Sequence, residues 1–400
     1  MKLNKSRYNI NLVIAFMAVI LYGCIEPFEG TFEDFESVVV IEAVITDETK
    51  QQRVFITRTY EFEEDGPSPE SNANVTISDD AGNSFDFQDT GDGIYVSTQS
   101  FAAQPNRQYQ LSVTTQNGRR YLSNMVQLSP SVAIGDVSAE RITTDLGEDG
   151  LAILVDTSDP TGNAKNFRYE YEETFRIISP TWNPVSLIGD PEGGCNVLKV
   201  PNTTDERVCY RTEKSNRIIL ASTDDLAENR IENFMVRFVN RNNYIISHRY
   251  SILVRQLVQS NEAFTFYETL NELSSSESLF SQIQPGFLEG NVFSESDRDE
   301  RVLGFFDVSS VSEQRIFFNY EDFYPGEDLP PYVEPCNPST PVIANMGGCV
   351  LRPIIESGAG IYAGDNPSIG PNEGPYLVVS RVCGDCLVLG TTEVPDFWKE

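Results

Sequence analysis

From residue 38 onward the chain alternates apolar and polar residues in short runs, the period of a strand with one buried face. Residues 38–45, VVVIEAVI, are β-branched and long enough for a buried strand, and residues 53–58, RVFITR, alternate behind it. Residues 75–77 and 85–87 flank Asp79-Asp80-Ala81-Gly82-Asn83, while residues 109–113 and 120–122 flank Asn117-Gly118, which predicts a type I′ hairpin turn. With residues 93–96 between the two hairpins, the count and spacing of strands predict an immunoglobulin-like β-sandwich over 37–128.

A second β domain is predicted over 129–325, from the runs at 151–155, 167–172, 234–238 and 250–254. One helix interrupts it near 260–275, where Ser260 can cap and Ala263, Phe266, Tyr267, Leu270 and Leu273 share a face at helical spacing. Such a stripe is the mark of core packing. Residues 180–216 hold Gly, Pro and two cysteines and read as a long stapled loop. Residues 326–400, rich in Pro, Gly and Cys, are too long for a plain connection. They are expected as a disulfide-held surface segment packed on the second domain, or as a binding loop. The fold class is mainly β.

The first residues change the compartment. Lys2, Lys5 and Arg7 precede an apolar run from Leu12 to Tyr22, the charged and hydrophobic regions of a signal peptide over 1–23. Spanning a bilayer takes about 20 apolar residues, and this run ends too early. Leu21-Tyr22-Gly23-Cys24 resembles the bacterial lipobox, which implies a diacylglycerol and a fatty acid on Cys24 as the only attached groups; no other cofactor is expected. Ile25, where an Asp would retain the protein at the inner membrane, points by the same resemblance to the outer membrane. Residues 24–36, acidic and aromatic without strand or helix period, read as a lipidated tether.

Charge and cysteine count then narrow the partners. Twenty-nine Lys and Arg face 60 Asp and Glu, for a net charge of −31. Nucleic acid and anionic lipid are excluded as general partners, since binding phosphates takes a basic surface. Of seven cysteines, acylation removes Cys24 and leaves an even set in an oxidising compartment, the arithmetic of a disulfide framework. Neighbours in sequence suggest Cys195 with Cys209, Cys336 with Cys349, and Cys383 with Cys386. The Cys383-Gly384-Asp385-Cys386 motif lies between two strand-like runs, not at the head of a helix, which favours a structural role over a redox one.

Catalytic chemistry finds little support. His248 is the sole histidine and sits at a strand entrance, so nucleophile–histidine mechanisms have one poor base. HExxH, Walker and dinucleotide motifs are missing. Glycoside hydrolysis needs two acids about 5–10 Å apart across a sugar site, and with so many acids such pairs arise by chance. Trp182, in a Pro-rich loop, is a candidate sugar platform; Trp398 is expected to dock the C-terminus on the core. Asp79, Asp80, Asn83, Asp89 and Asp92 gather at hairpin turns. Their spacing is not that of an EF-hand, and Asp and Asn favour turns for local reasons, so a calcium site is the alternative to a turn-forming role.

Several stretches together resemble one family, the outer-membrane lipoproteins known as domain of unknown function 4249. They are CIEPFE at Cys24, VVVIEAVITDE at Val38, VCYRTEKSNRIILAST at Val208, YSILVRQLVQSNEAFTFYETLNE at Tyr250, SVSEQRIFF at Ser310 and CGDCLVLGTTEVPDFW at Cys383. The resemblance implies an exported, membrane-anchored lipoprotein associated with TonB-dependent β-barrel transporters, and it supplies no catalytic residues. Glu26 and Glu29 resemble the acidic signal that sends such lipoproteins to the cell surface. The expected function is a non-enzymatic accessory or ligand-binding subunit of TonB-dependent nutrient uptake. An envelope-assembly lipoprotein is the alternative, and a surface hydrolase a third reading.

Overall fold

The computed structural model describes residues 37–60, 66–275 and 288–400. The signal peptide, Cys24 and the tether lie outside the described residues. Seven strands build the first sandwich: β1 (Val39–Thr46), β2 (Arg53–Arg58), β3 (Asn74–Asp79), β4 (Ser84–Asp89), β5 (Ile94–Ser97), β6 (Gln108–Thr114) and β7 (Arg120–Ser123). Hydrogen bonding orders them β1-β2-β5-β4 and β3-β6-β7, joined through the β3–β4 hairpin. These are the strand neighbours of an immunoglobulin sandwich. Alternate residues Val39, Ile41, Ala43 and Ile45 of β1 point into the core with Ile56, Ile77, Tyr95 and Leu111.

The Asn117-Gly118 turn differs from the expected type I′. Of the two residues Gly118 alone has positive φ, 84°. Its N–H donates to the Thr115 carbonyl while the Thr115 N–H donates to that of Arg119, the three-residue loop in which a type I turn is followed by a left-handed glycine. The Asn117 side chain accepts the Arg119 N–H at 3.1 Å and the Thr115 hydroxyl at 2.7 Å, which holds Asn117 in the turn without a left-handed backbone.

The second sandwich faces two sheets across one core. One sheet is β8 (Ile134–Thr143), β9 (Asp149–Ser158) and β15 (Arg230–Asn240). Between β9 and β15 the chain forms β10 (Asn166–Ile178), the hairpin β11 (Val185–Gly189) and β12 (Val197–Pro201), then β13 (Val208–Lys214) and β14 (Ile219–Ser222). After β15 come β16 (Arg249–Gln259), helix α1 (Asn261–Ser275), β17 (Val292–Ser294) and β18 (Phe306–Asn319). The second sheet runs β13-β10-β16-β18. Leu151, Ile153 and Val239 of the first sheet meet Phe167, Phe175, Ile252 and Val254 of the second. Helix α1 begins as expected, with the Ala263 N–H donating to the Ser260 hydroxyl at 3.1 Å. Ala263 and Phe266 pack on Phe305, with Tyr267 and Leu270 beside them.

Strand β18 belongs to both sandwiches. Its first residues pair in parallel with β1, Phe306 beside Ala43 and Ser309 beside Thr46. From Ser310 onward it pairs antiparallel with β16. One hydrogen-bonded sheet therefore continues from domain to domain. This corrects the predicted boundary, which assigns everything from 129 to 325 to the second domain. Val292, Val302, Phe306 and Val308 lie in the first core, because residues 302–303 and the start of β18 pair with β1, and β17 pairs with β7, covering an edge that would otherwise stay open.

The last part of the chain forms α2 (Leu351–Glu356) and the hairpin β19 (Gly360–Asp365) and β20 (Tyr376–Ser380). Leu351, Tyr362 and Val378 pack against Leu187 and Val197 of the β11–β12 hairpin, making a small third core. The segment expected to lie on the second domain thus folds with an insertion of that domain.

Candidate functional site

The third unit is held by covalent bonds. All six cysteines among the described residues are paired, but not as neighbours. Cys195 joins Cys349, Cys209 joins Cys386 and Cys336 joins Cys383, with sequence separations of 154, 177 and 47. The neighbour pairing Cys195–Cys209, Cys336–Cys349 and Cys383–Cys386 is overturned by placement. Cys195 lies between the strands of the β11–β12 hairpin, 4.9 Å in Cα distance from Cys349, whereas Cys209 is fully buried on β13 beside Cys386. Cys383 and Cys386 bond to different partners, so the CxxC motif closes no ring of its own. In the chain-entropy account, closing loops of this length stabilises by roughly 5 kcal/mol apiece for the two longer bonds.

The unit is also where apolar surface is exposed. Of fifteen large hydrophobic side chains exposed among the described residues, nine lie on it, including Met346 at 109%, Ile369 at 61% and Val394 at 54% exposure. Beyond it the C-terminus docks as expected: the Trp398 ring meets Tyr210 at 5.0 Å and Phe317 at 5.9 Å. Arg315 lies 3.6 Å over Phe397, and Glu400 pairs with Arg176 at 2.8 Å. Trp182 is partly buried at the entrance of the insertion, its indole Nε1 covered and without an acceptor.

The residues considered for chemistry make the following contacts. Burial, reinforced by Arg176, pulls the His248 pKa down to about 4, so its imidazole is neutral at ordinary pH. The calcium candidates act as turn acceptors. Asp79 accepts the N–H groups of Ala81 at 3.0 Å and Asn83 at 2.8 Å. Asp89 accepts those of Asn72 and Gly91, both at 2.8 Å. Burial works to raise the Asp79 carboxyl but is outweighed by the Asn83 and Ala81 bonds; for Asp89 the two backbone donors lower it directly. Asp80 pairs with Arg107 at 3.3 Å, and Asp92 adopts a left-handed turn conformation with φ 52°. Among the described residues no three His, Cys, Asp or Glu side chains group to hold a metal ion.

The sequence gives no sign of one internal network. Inside the second sandwich Arg237 forks onto Glu173 at 3.0 and 3.2 Å, and the Tyr250 hydroxyl donates to the same carboxylate. Burial, with the Glu173 charge beside it, drives the Tyr250 pKa well above its ordinary value. Glu173 and Tyr250 are buried, and the Arg237 side chain, 27% exposed, carries this network from the interior to the surface.

Fold and surface define a mainly β protein of two linked sandwiches with a disulfide-braced third unit. A family model described as Domain of unknown function (DUF4249) matches residues 25–315, and the chain belongs to that family. The match takes in both sandwiches and the β11–β12 hairpin but not residues 316–400, so the rest of the third unit and the stretch at Cys383 lie beyond it. No match was found among curated proteins. Among solved structures the chain is similar to a DUF4785 family protein from Legionella pneumophila subsp. pneumophila str. Philadelphia 1, at 10% identity over 54% of this chain, with a TM-score of 0.17. The similarity spans about half of that chain, 51%.

Proposed function

We propose that the protein is a non-enzymatic outer-membrane lipoprotein, anchored through Cys24, that serves as an accessory or ligand-binding subunit of a TonB-dependent transporter. The observation behind this reading is the concentration of exposed apolar side chains on the unit braced by disulfides. Rigid apolar surface is what a partner interface uses, because little conformational entropy is lost on docking. The lipobox at Leu21–Cys24 supplies the membrane. Two or three acyl chains, each buried methylene contributing about 0.8 kcal/mol, make a durable anchor. A contact in the same bilayer then needs only modest intrinsic affinity.

Affinity purification from detergent-solubilised outer membranes tests the proposal. A β-barrel transporter is expected to co-purify, and Met346→Glu with Ile369→Glu to reduce its recovery. If no transporter is recovered with the wild-type protein, the reading fails. Loss of growth on one nutrient after gene deletion supports uptake; general envelope defects support the assembly alternative.

A further inference from the structure

On the face of the long sheet turned away from the second core, a cleft of about 650 Å3 opens between β1, β2, β10, β16 and α1. It continues beside β13 into a recess of about 360 Å3. Arg168, Glu170, Lys214, Arg255 and Tyr267 line both, so the two form one site. Its size suits a small ligand.

The cleft reverses the sign of the molecule. In a chain of net charge −31, six basic side chains line it, Lys50, Arg53, Arg168, Lys214, Arg217 and Arg255, against three acids, Glu42, Glu170 and Glu172. Part of this charge is balanced internally. Arg168 pairs with Glu170 at 3.0 Å, Glu172 is held by Arg315 at 3.1 Å, and Glu48 beneath the rim takes both Lys50 and Arg255. Arg255 also lies 3.6 Å from Glu313. Arg53, Lys214 and Arg217 have no ion-pair partner among the described residues. The surplus therefore stands at the mouth of the cleft.

The floor carries a second, independent signal. The Arg168 side chain is 9% exposed and its guanidinium lies 4.3 Å over the Tyr267 ring. Its Nε–H, like that of Arg255, is covered and has no hydrogen-bond acceptor. The Arg255 Nε has the Glu313 carboxylate 3.6 Å away, beyond hydrogen-bond reach, whereas the more deeply buried Arg168 donor is costly unless an acceptor arrives. Burial also raises the Glu42 carboxyl pKa, against the pull of Arg168. Leu253, Leu257 and the half-exposed Phe55 supply apolar surface for a carbon skeleton.

We propose that this cleft binds a compact organic oxyanion carrying at least two negative charges, either a polycarboxylate or a phosphorylated sugar. Arginine forks and a lysine point charge suit carboxylate and phosphate oxygens alike. The acidic charge of the molecule as a whole repels long polyanions while the local basic surplus admits a small one. The site is a property of the chain itself and does not depend on the transporter reading.

Isothermal titration of the purified full chain in detergent tests it, with citrate in one arm, glucose 6-phosphate in another and uncharged sucrose as control. One of the anions is expected to bind saturably, more weakly in high salt, and sucrose not at all. Preference between the two anions assigns the ligand class. Lys214→Gln combined with Arg217→Gln, both exposed and remote from the cores, is expected to lower affinity roughly tenfold or more. Arg230→Gln, outside the cleft, leaves it unchanged. Absence of saturation with both anions, or wild-type affinity in the double variant, overturns the proposal. Co-purification and titration read different events, so either proposal can fail alone.

Discussion

The Tyr109 hydroxyl accepts the backbone N–H of Gln104 at 2.7 Å, fastening the start of β6 to the loop that leads into it. This is the tyrosine corner of immunoglobulin-like sandwiches, and the ring itself is 1% exposed in the first core. Tyr109→Phe keeps the ring and strands the amide. It is expected to destabilise the first sandwich by about 1 kcal/mol, the net worth of a part-buried hydrogen bond. Urea unfolding followed by intrinsic fluorescence measures the change; a shift of a few tenths would remove the corner from the account.

The Glu173 carboxylate holds Arg237 and Tyr250 together inside the second core. Glu173→Ala leaves a half-buried guanidinium and a buried hydroxyl without their acceptor, at an expected cost of about 3–5 kcal/mol. Glu173→Leu with Arg237→Met removes both charges and is expected to recover much of that loss. Equal destabilisation by the single and the double change would show that the pair does not act as a unit.

His248 is the only imidazole in the chain, so its NMR signals report without overlap. Its folded pKa of about 4 lies below the usual value near 6.5 of an unfolded chain. The unfolded state therefore binds the proton first as pH falls. The stability gained from keeping His248 neutral is complete above about pH 6.5 and is lost as pH drops toward 4. The imidazole shifts are expected to stay flat from pH 8 to about pH 5.5; a midpoint near 6.5 would contradict the burial.

Peptide mapping without reduction is expected to recover Cys195 linked to Cys349, Cys209 to Cys386 and Cys336 to Cys383. Cys209→Ser with Cys386→Ser frees the braced unit from β13 and is expected to let proteases release it from a body that stays folded. A peptide joining Cys195 to Cys209 would refute the arrangement.

Local pattern carried much of the fold. The alternation at 39–45 sets one face of β1 in the core, and Ser260 with the stripe from Ala263 to Leu270 marks the helix, because both signals are written within a few residues. What escaped reading depends on distant segments meeting. Nothing near Phe306 announces a parallel partner at Ala43, and nothing near Cys195 announces Cys349, since strand partners and disulfides are settled by how whole domains pack. The Glu173–Arg237 pair was hidden for the same reason, two ordinary charges in strands of opposing sheets. At Asn117-Gly118 the dipeptide located the turn but not its type. The basic cleft was masked by a strongly acidic total, because composition averages away a sign reversal confined to six side chains.

Because β18 lies alongside β1 in parallel at the N-terminal entrance to the fold, tension entering the chain at Val39 loads that ladder in shear. Its hydrogen bonds, and those joining β1 to β2, must give way together and cannot open one by one as a zipper does. A pull on the body would therefore meet its greatest mechanical resistance where the two sandwiches share a strand, next to the point at which the chain enters the fold.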